Sequence, residues 1–323
     1  MSASRMATFG AVLVIGGASL ALGHALDEGS NQAGQQQAGA KRGSATHKGA
    51  RQARQRHKSA RPVKPRKASA LPKPALVWAV GDGADGGPAG KQLAQMIASS
   101  PLDRFLYLGD VYEGTSLAGF ESKYATTYGR LNRFAAPTPG NHEWNWHDAG
   151  YDRYWEQTTQ RPQPPWYAFA LGGWQLLSLN SEADHSSGSA QVSWLRQQLD
   201  RRPGFGSCRI AYWHRPFHSG GMHGDAPDIA GLWNPLRSRA TIVLNGHDHD
   251  MQRFAPLDGI TEFVAGSGGR DRYPVHQQPG MRFSNDSEFG ALRLRLSPGQ
   301  ASYAFVGLGG QVLDSGTLHC QPG

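Results

Sequence analysis

Thr241-Ile242-Val243-Leu244-Asn245-Gly246-His247-Asp248-His249 joins a short apolar run to a glycine and two histidines spaced two apart. The run predicts a buried strand, and Gly246 marks where it stops. Two imidazoles at that spacing address neighbouring positions just beyond the strand. Working outward, four more segments stop in the same way. Ala75-Leu76-Val77-Trp78-Ala79-Val80 runs into Gly81-Asp82, and Phe105-Leu106-Tyr107-Leu108 into Gly109-Asp110. Pro139-Gly140 precedes Asn141-His142-Glu143, and Ala211-Tyr212-Trp213 ends in His214. Singly, each residue has an ordinary use: an Asp after a Gly serves a turn or a cap, and a lone His packs. Together, five segments bring Asp, Asp, Asn and three His to the strand ends, the edge where ligand sites of α/β sheets collect. Carboxylate, amide oxygen and imidazole in combination suit Fe, Mn or Zn better than a thiolate set would.

Between these stops the chain alternates apolar runs with helical stretches, which predicts layered α/β construction. Helices are expected over 88–99, 117–129, 189–200 and 227–237. Further strands are expected over 166–170, 173–179, 208–213, 260–265, 289–296, 301–307 and 311–317. The 323 residues, 38% of them hydrophobic, suffice for a large core, and two cysteines exclude a disulfide framework or a multi-cysteine zinc scaffold.

The formal charge of +8 is unevenly placed. Residues 41–73 hold 12 Lys and Arg and no acid, whereas from residue 74 onward 20 Lys and Arg face 23 Asp and Glu. The basic character is a tail property, so a basic, nucleic-acid-binding globular domain is excluded. Residues 26–74 contain no Phe, Trp or Tyr and are expected to form a disordered linker, since they cannot bury enough apolar surface to offset ordering. This linker either holds the protein near an anionic polymer or membrane surface or acts as a solvated spacer. Without stacking aromatics it offers no specific nucleic-acid recognition. Ahead of it, Arg5 precedes an uncharged stretch from Met6 to Leu26 with small residues at Gly23 and Ala25. Residues 1–25 therefore read as a signal peptide cleaved after Ala25, or as an uncleaved membrane anchor. Either way the protein is expected to be exported: periplasmic, secreted or membrane-anchored.

The five blocks, together with Trp166-Tyr167-Ala168-Phe169, Leu179-Asn180-Ser181-Glu182, Trp213-His214-Arg215-Pro216 and Gly266-Ser267-Gly268-Gly269, resemble the calcineurin-like metallophosphoesterase superfamily, nearest its bacterial purple-acid-phosphatase-like members. The likeness runs from about Leu76 to the C-terminus. It implies a four-layer α/β/β/α sandwich of two mixed sheets flanked by helices over residues 75–323, with two divalent or trivalent metal ions (Fe, Zn or Mn). By position, Asp110 would bridge both metals, Asp82 and His249 would serve the first, and Asn141, His214 and His247 the second. His142 would contact the phosphate and protonate the leaving group, and His223 would contact substrate. His218 matches no family position and reads as a solvated loop residue. The family often carries cysteines where Cys208 and Cys320 stand, so these are expected to pair once exported.

Two positions depart from the pattern. Many relatives place a histidine two residues after the first aspartate, where Ala84 stands here; purple acid phosphatases use instead a tyrosinate three residues after the bridging aspartate, where Glu113 stands. Either the loop is shortened so that Tyr112 reaches the first metal, the reading adopted, or that site has only Asp82, Asp110 and His249 with water. The expected function is hydrolysis of small phosphate monoesters. A phosphodiesterase or nucleotidase, and a non-catalytic binding protein on the same fold, are the alternatives.

Overall fold

The computed structural model describes residues 71–201 and 208–320. The expected signal segment and nearly all of the expected linker lie outside the described residues; Leu71 to Pro74 are irregular. The first half runs β1 (Ala75–Val80), α1 (Pro88–Ala98), β2 (Arg104–Tyr107), α2 (Leu117–Phe120), α3 (Asn141–Trp144) and α4 (Tyr151–Thr159). Then come β3 (Tyr167–Leu171), β4 (Trp174–Ser178), α5 (Ala190–Asp200), β5 (Arg209–Tyr212), α6 (Ala230–Leu236) and β6 (Ile242–Asn245). Six strands close the chain: β7 (Met251–Phe254), β8 (Thr261–Ala265), β9 (Met281–Asn285), β10 (Gly290–Ser297), β11 (Gln300–Gly307) and β12 (Val312–His319).

The strands form two sheets, ordered β12-β11-β10-β1-β2 and β3-β4-β5-β6-β8-β7-β9. Both are mixed: β1 and β2 run parallel beside the antiparallel β10, and β4, β5, β6 and β8 run parallel between antiparallel edges. The two-residue strand period explains the layering. In β1, Val77 and Ala79 enter the core between the sheets while Trp78 and Val80 meet the outer helices. In β6, Ile242 and Leu244 face that same central core, and Val243 packs among Leu232, Trp233 and Leu195 of α6 and α5. Helices therefore cover both outer faces, giving the expected four layers.

Some local expectations need correction. The helix expected over 117–129 ends at Phe120, widens into a π turn over Glu121–Ala125 and resumes as a 3-10 turn at Gly129–Phe134. Thr126 and Thr127 turn their hydroxyls back onto the carbonyls of Ser122 (2.6 Å) and Lys123 (2.7 Å), which competes with regular helix geometry. Strands β7 and β9 were not expected, because Met251-Gln252-Arg253-Phe254 and Met281-Arg282-Phe283-Ser284-Asn285 are too polar to stand out as apolar runs. A disulfide joins Cys208, at the start of β5, to Cys320, just after β12, with Cα atoms 4.9 Å apart. It ties the second sheet to the edge of the first.

Candidate metal centre

The strand ends place the polar residues by backbone conformation. Asp82 (φ 60°), Asp110 (φ 61°) and His247 (φ 71°) all occupy the left-handed region, which costs a non-glycine residue about 1 kcal/mol or more and is held only where its surroundings enforce it. The enforcement is visible. Tyr107 is fully buried, and its hydroxyl accepts from Ala84 N (3.0 Å) and donates to Asp110 O (2.7 Å), locking the loop after β1 to the loop after β2. Gly140 lies so close to Asp110 that a Cβ there would sit 2.2 Å from Oδ1.

Two groups of donors converge. In the first, the His214 Nε2 atom lies 3.2 Å from Asp110 Oδ1, 3.1 Å from Asn141 Oδ1 and 3.1 Å from His247 Nδ1. Ligand atoms of Asp110, His214 and His247 all fall within 4.8 Å of one another. In the second, His249 Nε2 lies 2.7 Å from the Tyr112 hydroxyl and 3.8 Å from Asp82 Oδ1. The His247 amide donates to Asp82 Oδ2 at 2.8 Å and links the groups. Outer contacts fix how the imidazoles face. His214 Nδ1 bonds to Leu108 O (2.8 Å) and His249 Nδ1 to Asp271 O (2.6 Å), turning the Nε2 atoms inward. The loop after β2 turns Tyr112 into this cluster, while Glu113, at φ 61°, faces solvent and pairs with Lys123 at 3.2 Å.

The electrostatics are those of a cation site. Burial pushes the Asp82 carboxyl well up. Burial also works against ionised Asp110, but the His214 imidazolium beside it prevails and holds that carboxyl at about 2. Burial lowers His247 to about 3, helped by neighbouring His214, and lowers His249 to about 4. Both imidazoles are therefore neutral, the ligand form, at pH 7. Glu143 is pushed up to about 8 by burial and by Asp110, and braces the loops by accepting from Gly140 N (2.9 Å) and Val111 N (3.0 Å). Among the described residues Asp82 Oδ1 is buried without a hydrogen-bond partner, a costly state for a carboxylate that a cation would relieve. The oxygen and nitrogen donor set fits Fe, Zn or Mn.

The rim carries the remaining residues. His142 donates its amide to Asp110 Oδ1 (3.2 Å) and holds Nε2 3.8 Å from Asp110 Oδ2, with its side chain 46% exposed. His223 stacks on His247 with ring centroids 4.0 Å apart. Asp248, between the two histidines of its motif, holds both His223 Nδ1 and His223 N at 2.9 Å and accepts from Ser219 Oγ. Tyr273 stacks on His249 at 3.9 Å. His218 is not a solvated loop residue: its Nδ1 sits 2.8 Å from the buried Glu262, which also accepts from the amides of Phe217 and His218. Asp248 carried a signal in its place within Gly-His-x-His, and Glu143 in its place after Asn141-His142; Tyr273 and the Asp271 carbonyl carried none.

Comparison with known proteins agrees with this picture. No curated protein sequence matches the chain. Among solved structures it is similar to purple acid phosphatase PPD1 from yellow lupin seeds (18% identity, TM-score 0.63, covering 77% of this chain and 54% of that one). This chain thus spans about half the length of the lupin protein. It is also similar to GAP50, the anchor in the inner membrane complex of Plasmodium (15% identity, TM-score 0.64, 77% and 89%). A third likeness is to a dimetal phosphatase from Danio rerio (13% identity, TM-score 0.52, 76% and 99%). At these identities the likeness is one of fold. The model of the calcineurin-like phosphoesterase family matches residues 66–251, more than half of the sequence, and the chain belongs to that family.

Proposed function

We propose that this protein is an exported dinuclear-metal phosphatase acting on small phosphate monoesters. The observation that carries the reading is the convergence of Asp110, Asn141, His214 and His247 beside Asp82, Tyr112 and His249, with a buried oxygen of Asp82 that has no hydrogen-bond partner among the described residues. Asp82, Asp110, Tyr112 and His249 would hold one ion and Asp110, Asn141, His214 and His247 the other. Bound there, two Fe, Zn or Mn ions would supply Lewis acidity toward phosphoryl oxygens and lower the pKa of water.

The protein's own groups do the rest. The fixed outer bonds of His214 and His249 hold the ligands ready before any ion arrives, so little reorganisation is needed. His142, partly exposed beside Asp110, reaches a leaving-group oxygen and gives it a proton, a task suited to imidazole near neutral pH. His223, oriented by Asp248, offers a second imidazole edge to the phosphoryl group. The apolar stretch 6–26 and the Cys208–Cys320 bridge support export, because such bridges persist in oxidising compartments. The basic run 41–73 would add attraction to anionic surfaces that salt weakens.

A panel of mono- and diesters with metal-loaded protein tests the reading. Monoesters should be turned over faster than diesters. A preference for diesters would move the protein to the phosphodiesterases or nucleotidases, and binding without hydrolysis would make it a non-catalytic relative.

A further inference from the structure

The segment after β8, Gly266-Ser267-Gly268-Gly269-Arg270-Asp271-Arg272-Tyr273, is pinned to the site along its length. The Arg270 amide donates to Asp82 O (3.0 Å), the Tyr128 hydroxyl to Gly268 O (2.5 Å), and the Tyr273 amide to His249 O (3.3 Å). Its backbone thus fixes where the Arg270 side chain emerges. The guanidinium carbon lies 4.6 Å from the centre of the Tyr112 ring, and the side chain is 42% exposed. Its charged contact is a long one, 3.9 Å to Asp85 Oδ2, and among the described residues the guanidinium makes no hydrogen bond. A guanidinium resting on an aromatic ring keeps its donor edges free for a carboxylate or phosphate, which it can grip with two parallel bonds. The ring beneath it is also the one that His142 touches, with centroids 4.6 Å apart.

We propose that Arg270 is a specificity-determining residue that binds a second anionic group, carboxylate or phosphate, on the alcohol part of the substrate. The inference rests on the phosphatase reading above. His142 gives its proton to the leaving oxygen, so the alcohol emerges on the His142 side of the metal ligands, and the Tyr112 ring is in contact with both His142 and Arg270. Arg270 therefore reads charge beyond the scissile phosphoryl group, and monoesters of hydroxy acids or of phosphorylated alcohols are the favoured class.

The test uses 2-phosphoglycerate and glycerol 2-phosphate, which differ by one carboxylate, with ethylene glycol bisphosphate as the phosphate arm. Wild type should prefer the charged substrates by kcat/KM, with the preference shrinking as salt rises. In Arg270→Ala, with metal content equal to wild type, the ratio of kcat/KM for 2-phosphoglycerate over glycerol 2-phosphate should fall about tenfold through KM. Arg270→Lys should recover part of the ratio. Equal losses on both substrates, or an unchanged ratio, would overturn the proposal. If no ester is hydrolysed, the phosphatase reading fails. Calorimetric binding of 2-phosphoglycerate and glycerol 2-phosphate to metal-loaded protein then decides the role of Arg270 by the same ratio.

Discussion

Removing the Cys208–Cys320 bridge, by reduction or as Cys208→Ala/Cys320→Ala, should cost the fold about 5 kcal/mol. The bond closes a loop with a sequence separation of 112, and chain-entropy reasoning gives about that value for a loop of such length. With a urea dependence of about 2–3 kcal/mol per molar, the unfolding midpoint should fall by about 2 M. The place of the bond adds a local expectation. Among the described residues β12 is an edge strand that pairs with β11 alone, and much of its side-chain surface is exposed. Cys320 and its amide bond to Gly299 O (2.9 Å) add to the pairing of His319 with Gln300 and of Leu318 with Ala301 in holding its end. Urea titration of oxidised and reduced protein measures the global cost, and hydrogen exchange resolves the local one: β12 amides should lose protection before those of β1 or β6. A midpoint shift under about 0.5 M, with β12 still protected, would refute the reasoning that the bridge acts by restricting the unfolded chain.

His142→Ala should keep its metals and lose about 10²–10⁴-fold in kcat, with a smaller loss on substrates whose leaving groups need no proton; uniform loss across leaving groups would remove it as the acid. Iron-loaded wild type should absorb in the visible through the Tyr112 phenolate, and Tyr112→Phe should abolish the band; a colourless wild type would show a first site built without it. The His218–Glu262 pair should make stability fall as pH rises. Burial works against the His218 imidazolium, but Glu262 prevails and holds it above its ordinary 6.5, while burial raises Glu262 itself. His218 thus binds its proton more readily folded than unfolded, so its stabilisation is complete below pH 6.5 and is lost as pH rises through the folded value; the raised Glu262 works in the same direction from 4.5 upward. His218→Gln should therefore destabilise more at pH 6 than at pH 9 in thermal unfolding, and a pH-independent cost would contradict it.

The layered α/β construction was legible because β1, β2 and β6 are written as apolar runs that end near a glycine and a polar residue, while the four-layer arrangement came from the family resemblance that the strand-end blocks carry. Asp82, Asp110 and His247 follow those stops directly, so strand order alone carries them to one edge. Asn141 and His214 join them there in the structure. Tyr112 was harder, since spacing pointed to Glu113 and only the path of the loop decides which side chain turns inward. Asp271, Tyr273 and Arg270 were invisible. They meet His249 and Tyr112 from more than 20 positions away, through a carbonyl, a stacked ring and a guanidinium that no local pattern encodes. The same reason hid the restraint on His218, whose partner Glu262 belongs to β8.

Metal content measured alongside p-nitrophenyl phosphate turnover, in wild type and in Asp110→Ala and His247→Ala, tests the central claim most directly. Wild type should hold two ions per chain and hydrolyse the ester, as a two-metal clamp requires, and each substitution should lose both metal and nearly all turnover. Full turnover by metal-free Asp110→Ala protein would contradict the account.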